Sequence, residues 1–206
     1  MDHMVKVGRG IRADGSARRA LTDDVLTHLL AGGRLDESLR TTASAIGAGH
    51  SLLLYHFGSR EEMLRSVHAA CEERQRAHFA DLRLRTEDPF EAMRAMWAHV
   101  ADPRMWPIYR LGFSLRARDA ASTPPGGGAV TDDEDRTRWL ADLVPMVRML
   151  GIDEDRAVDE AMLWLATTRG LLWELVTGAD PALVERAAEA FLARLVAAAR
   201  PGSATP

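Results

Sequence analysis

One cysteine, Cys71, and one lysine, Lys6, are all that this chain of 206 residues holds of either type. A lone cysteine excludes an intramolecular disulfide framework, and it fits a reducing compartment. The remaining basic residues are all arginine, a bias to which we assign no mechanism. Aromatic residues are scarce at 6%, while Ala, Leu and Arg are abundant, which leans the chain towards helices. No run of about 18 apolar residues is present, so no membrane-spanning helix is expected. Residues 1–15 carry basic side chains but no apolar core segment, so no signal peptide is expected either. What is present is a globular composition, 47% hydrophobic and 27% charged, in a chain long enough for one or two domains with a buried core. The expectation is a soluble, cytoplasmic protein with no membrane partner.

A net charge of -4 argues at first against a nucleic-acid partner. The distribution argues otherwise. Residues 1–86 hold 13 Arg/Lys against 11 Asp/Glu, whereas residues 87–206 hold 13 against 19. Lys6, Arg9, Arg12, Arg18 and Arg19 crowd the first twenty positions against Asp2 and Asp14. A mildly basic head on an acidic body suits a small DNA-binding domain joined to a domain that does not bind DNA.

The chain reads as all-α, with about nine helices and no strand alternation. Residues 1–15, with Gly8, Gly10 and Gly15 and no apolar period, read as a flexible basic arm. Leu21, Val25, Leu29 and Leu30 predict a first helix over about residues 17–31, stopped by Gly32 and Gly33. Two short segments follow, separated by Gly47-Ala48-Gly49. Ser38 is placed to cap the first, in which Leu39, Ala43 and Ile46 recur at helical spacing. The second, about residues 50–56, is too short to stand alone and must be held by packing. Gly58 ends it, and Ser59-Arg60-Glu61-Glu62 spells a capping box for a long helix to about Leu84. Thr86-Glu87-Asp88-Pro89 reads as the domain boundary, giving a head over 16–86 and a body over 87–206. Body helices are predicted at about 89–101, 104–119, 132–150, 155–177 and 181–200, with a Pro/Gly loop over 122–128 and Pro201-Gly202 closing the last.

Two short helices around a glycine turn, between two longer helices, outline a helix-turn-helix. In that motif the first short helix crosses the DNA backbone and the second puts its outer face into the major groove. Leu39, Ala43, Ile46, Leu53 and Phe57 are the expected buried side. Arg40, Thr41, His50, Ser51, Leu52, Leu54, Tyr55 and His56 are left to face outward to varying degrees.

Residues 37–64 carry a more specific likeness. Ser38, Leu39, Arg40, Ala43, Gly47, Leu53, His56, Phe57, Ser59 and Glu61 match, without a gap, the DNA-binding signature of TetR-family bacterial regulators, which the segment resembles. Arg60 stands at the signature's lysine. The Tyr-His-Phe-Gly-Ser-Arg-Glu ending at this spacing is the distinctive part. Departures are Glu37 for a threonine, Ala48 for the turn valine, Gly49 for the serine that caps the second short helix, Ser51 for a glycine and Leu54 for a tyrosine. The resemblance implies a homodimeric repressor that blocks a promoter until a small, mostly apolar effector releases it from double-stranded operator DNA. It implies DNA contacts from Arg40, Thr41, His50, Ser51, Leu52, Leu54, Tyr55 and His56, with Arg60 at a phosphate beside a helix N-terminus. Leu52 and Leu54 either meet thymine methyl groups or pack on the protein.

The same resemblance implies an effector pocket in the body, which holds all five tryptophans. Met93, Trp97, Trp106, Tyr109, Phe113, Trp139, Met146, Met162 and Trp173 are the candidate walls; the plainer reading is helical core. Small residues in the last two helices, Ala161, Ala166, Gly170, Ala187, Ala188 and Ala190, allow close helix approach, either within the chain or between two copies. The likeness favours a homodimer through these helices. His68, Cys71, His78 and His99 lack any metal-ligand spelling, Gly126-Gly127-Gly128 lacks a following Lys-Ser, and no nucleophile constellation exists. No catalytic residue, metal or cofactor is therefore expected. The rival readings are a small-molecule-binding protein or enzyme on the same helical fold that has lost DNA binding, and a protein-interaction module without effector.

Overall fold

The computed structural model describes residues 3–122 and 130–198, with side chains over 15–122 and 134–197. Nine α-helices and one short 3-10 turn account for nearly all of it, and there is no strand among the described residues. They are α1 (His3–Leu30), α2 (Leu39–Ala45), α3 (His50–Phe57), α4 (Arg60–Arg85), α5 (Pro89–Ala101), α6 (Trp106–Ser122), α7 (Val130–Met149), α8 (Glu154–Thr177) and α9 (Pro181–Ala198). The all-α expectation holds, and the predicted body helices agree with the observed ones to within a few residues. Most of the Pro/Gly loop, Pro201 and Gly202, and the side chains of Lys6, Arg9 and Arg12 lie outside the described residues.

One prediction needs correction. The backbone is helical from His3, so residues 3–15 continue α1 instead of forming an arm. Glycine lowers helix propensity by about 1 kcal/mol per residue, but extending an existing helix avoids the nucleation cost that dominates helix formation.

The chain divides into two compact units, residues 1–74 and 75–206, with the division inside α4 rather than at Thr86–Pro89. The smaller unit packs α1, α2, α3 and the start of α4. Val25, Leu26 and Leu29 of α1, Ala43 of α2, Leu53 and Phe57 of α3, and Met63 and Val67 of α4 are its buried apolar side chains. Each buried Leu or Val contributes roughly 1.5–3 kcal/mol from apolar area removed from water, which is how an eight-residue helix is held at all.

Capping follows the local sequence. Ser38 Oγ accepts from the Thr41 N–H at 3.1 Å to start α2. Gly47, at φ +70°, makes the turn into α3 in a region that only glycine enters without strain. Ser59 Oγ accepts from the Glu62 N–H at 3.1 Å to start α4.

In the larger unit α8 packs against α5, α6, α7 and α9. Phe79, Met93, Trp97, Trp139, Met146, Ala161, Trp164, Leu172 and Val184 belong to one continuous core. Pro145 lies inside α7 and has no N–H to give the preceding turn. One position from the carbonyl it strands, the Asp142 carbonyl accepts from Arg83 at 3.3 Å, and the Asp142 carboxylate takes Arg76 at 2.6 Å.

Candidate nucleic-acid interface

The sequence of α3, His-Ser-Leu-Leu-Leu-Tyr-His-Phe, contains no formally charged residue. Its register is set by two side chains one turn apart. Leu53 is fully buried and Phe57 nearly so. At 3.6 residues per turn, Ser51 and Tyr55 then fall on the opposite side, flanked by Leu52 and Leu54. Leu52 is 44% exposed, Leu54 47% and Tyr55 75%; Ser51 is exposed as well, and His50 and His56 are half-buried. Leu54 therefore stands outside the buried core of this unit.

Arg40, in the first turn of α2, is exposed. Thr41 is exposed too, with its hydroxyl sharing a 2.8 Å hydrogen bond with that of Ser38. The Tyr55 and His56 rings meet edge to face at 5.0 Å. Gly49 supplies no side-chain cap to α3, whereas α2 has one from Ser38. Of the predicted buried side, Ala43, Leu53 and Phe57 are buried, and Leu39 and Ile46 half-buried.

Arg60 is used differently from the expectation. Its Nε donates to the Glu37 carbonyl at 2.6 Å and its Nη2 to the Leu35 carbonyl. These bonds tie the start of α4 to the loop before α2, so the guanidinium holds the frame of the motif. Glu37, the departure from the threonine of the resembled signature, is part of the same clasp. Its carboxylate accepts from the Arg34 N–H at 3.0 Å and lies 2.9 Å from His28 Nε2. The Arg34 amide first, and His28 second, hold the Glu37 carboxyl below its usual range. Gly33 leaves room for this arrangement: a Cβ there would sit 2.4 Å from the His28 ring.

Arg18, counted among the basic residues of the head, is also committed. It lies over the Phe57 ring at 5.3 Å and donates to Ser66 Oγ at 2.9 Å. Sequence reasoning missed both clasps, and the only local signal was the acidic Glu37 in an otherwise threonine-bearing motif.

In the larger unit the candidate effector residues separate into two sets. Met93, Trp97, Tyr109, Trp139 and Met146 are buried, with Trp106 and Phe113 packed partly buried against them. Within this apolar mass the Tyr109 hydroxyl accepts from buried Gln75 at 2.7 Å, and Trp97 Nε1 donates to Glu185 at 2.8 Å. Met162 and Trp173 are exposed instead, which corrects their place as interior walls. Ala161, Trp164, Leu165, Leu172 and Leu175 take the buried side of α8, and the helical period turns Met162 and Trp173 roughly 100–120° away from its centre. The small residues divide the same way. Ala161 and Ala188 are buried, whereas Ala166, Gly170, Ala187 and Ala190 are exposed.

Cys71 is buried, which pushes its thiol up to about 12 and makes it unreactive. His68 Nε2 stands 3.6 Å from Glu72, and the His78 and His99 rings lie tilted to one another at 4.4 Å. Among the described residues no three His, Cys, Asp or Glu side chains gather as a metal site, and no helix is long and apolar enough to cross a membrane.

Neither a protein-family model nor a curated protein matches the sequence. Solved structures do match the fold. A transcriptional regulator from Rhodococcus sp. Rha1 superposes with a TM-score of 0.67 at 20% identity, covering 87% of this chain and 96% of its own. A TetR-family regulator from Agrobacterium tumefaciens gives 0.64 at 19% identity, over 86% of this chain and 98% of its own. A TetR-family regulator from Pectobacterium atrosepticum gives 0.62 at 17% identity, over 91% and 92%. The chain has the fold of TetR-family transcriptional regulators along most of its length.

Proposed function

We propose that the chain is a cytoplasmic DNA-binding transcriptional regulator, a homodimer that represses from a palindromic operator and is released by a small, mostly apolar ligand. The observation that carries this reading is α3. Leu53 and Phe57 anchor it, and Ser51, Leu52, Leu54 and Tyr55 are left exposed, as is Arg40 on α2, in a unit whose fold is that of known regulators. The recognition surface is Arg40, Thr41, His50, Ser51, Leu52, Leu54, Tyr55 and His56, with Arg60 as the strut that positions it.

The homodimer reading is supported by the open side of α8. Val158, Met162, Ala166, Gly170 and Trp173 are exposed along one stripe, and Leu183, Ala187 and Ala190 are exposed on α9, which packs beside α8. An apolar stripe broken by Ala and Gly suits close helix approach by a second copy. The effector is received among Met93, Trp97, Trp106, Tyr109, Phe113, Trp139 and Met146, where flexible methionines can re-pack around an apolar guest and the Gln75–Tyr109 pair offers polar atoms to orient it. Release requires the ligand to bind the DNA-free conformation more tightly than the DNA-bound one.

Selection of bound sequences from random DNA, followed by fluorescence anisotropy on the selected site, tests the reading. Binding is expected to be palindromic and to weaken steeply with salt. Arg40→Ala is expected to lower affinity by about 1–3 kcal/mol if Arg40 reads a base, and by less at a phosphate, with unchanged thermal stability. Unchanged binding in both Arg40→Ala and Tyr55→Ala refutes the assigned face. Apolar and aromatic compounds are expected to raise the melting temperature and to alter tryptophan fluorescence.

A further inference from the structure

We infer that α3 reads thymine by its 5-methyl group, and that each operator half-site carries two thymines, one under Leu52 and one under Leu54. The inference rests on the DNA-binding reading above and adds the chemistry that the helix recognises. Three observations lead to it. First, the outer face of α3 has no Arg, Lys, Asn, Gln, Asp or Glu, the side chains that pair two-fold with guanine or adenine or accept from cytosine. Second, Leu52 and Leu54 stand 44% and 47% exposed although their neighbour Leu53 is fully buried, so they are apolar surface in place of polar surface. Third, the two flank Ser51 and Tyr55 from opposite sides, because two residues along a helix are roughly 200° apart. One leucine therefore lies on one side of this polar strip and the other leucine on the other side.

Only thymine offers an apolar group on the major-groove edge. A leucine laid on a G·C pair would strip water from N7, O6 and N4 and return no hydrogen bond, which disfavours those pairs. Polar contacts from Ser51, Tyr55 and Arg40 then set register, and the leucines set base identity at their two positions. Neither leucine belongs to the buried core of the unit.

The test uses the full chain and its selected operator. Thymines of the half-site are replaced one at a time by deoxyuridine, which removes the methyl group and keeps every hydrogen-bonding atom. The expected result is roughly fourfold weaker binding at each of two positions, the factor for one buried methyl-sized group, and no change elsewhere. Leu54→Ala is expected to abolish the penalty at one position and Leu52→Ala at the other, with melting temperatures unchanged. A selected operator that binds tightly, responds to Arg40→Ala and is indifferent to deoxyuridine overturns the methyl reading while leaving the DNA-binding reading intact. Failure to enrich any sequence overturns both. If Leu54→Ala instead lowers the oligomeric state in the absence of DNA, the face is covered by another copy and the inference fails.

Discussion

Helices α3 and α8 each leave several large apolar side chains in water, and they do so in different company. On α3 the exposed Leu52 and Leu54 flank Ser51 and Tyr55. On α8 the exposed Val158, Met162 and Trp173 share a stripe with Ala166 and Gly170. Hydrogen-bonding groups between apolar ones suit a partner whose surface is itself mixed, such as the edges of base pairs. Small residues between apolar ones suit a partner that must come close, such as a second helix. Exposure alone would have classed the two faces together; the neighbours separate them.

The largest expected effect lies on α8. Ala166→Glu or Gly170→Glu buries an unpaired carboxylate in the proposed homodimer, at a cost on the order of 4 kcal/mol. Neither position is buried in the chain itself, and a Cβ at Gly170 meets nothing within 4 Å. Light scattering at micromolar concentration is therefore expected to give the mass of one folded chain, with helix content intact. A dimer that survives both substitutions breaks the comparison on that side.

The next effect sharpens the α3 side by setting two adjacent leucines against each other. Leu53→Ala is expected to destabilise the smaller unit by about 2–5 kcal/mol, because it opens a cavity in the core. Leu54→Ala is expected to stay within about 0.5 kcal/mol of the parent in the same urea titration. Equal losses would place Leu54 in a core and return α3 to a purely structural role.

Arg60→Ala comes third. Loss of two charge-assisted bonds to the Glu37 and Leu35 carbonyls is expected to cost about 1.5–3 kcal/mol of stability, visible in the absence of DNA. A variant that keeps its stability and loses only operator affinity would restore the phosphate role that the motif suggests.

The smallest effect is in acid. The Glu37 carboxyl is held below its usual range by the Arg34 amide and His28, so the folded state favours the ionised form. That contribution is complete above the ordinary value of 4.5 and is lost as pH falls through the lower, folded value. Melting temperature is thus expected to fall with acidification through this window, and Glu37→Gln is expected to flatten that slope. An unchanged slope would detach Glu37 from the stability of the motif.

Much of the site was legible before any coordinates. Ser38 and Ser59 act as caps, Gly47 makes the turn, and Leu53 and Phe57 set the register of α3. Caps, turns and helical period are decided by residues within about four positions of one another, and such spans are written in the chain. The start of α1 was misread for a related reason: three glycines signal a breaker locally, but the helix that begins later extends back through them.

What the sequence by itself determined is therefore the all-α class, the nine-helix order among the described residues, the helix-turn-helix and the identity of the residues able to face outward. Only the tertiary structure decided which of those residues are free. Arg18 and Arg60 carry charge in the right part of the chain, yet their partners Ser66, Glu37 and Leu35 stand 23 to 48 positions away. Met162 and Trp173 are as apolar as Met146 and Trp139, yet helix packing around α8 turned one pair outward and the other inward. Long-range contacts depend on how helices meet, and the free energy of each contact is felt only after the chain has closed the loop between its members. No local pattern encodes that outcome.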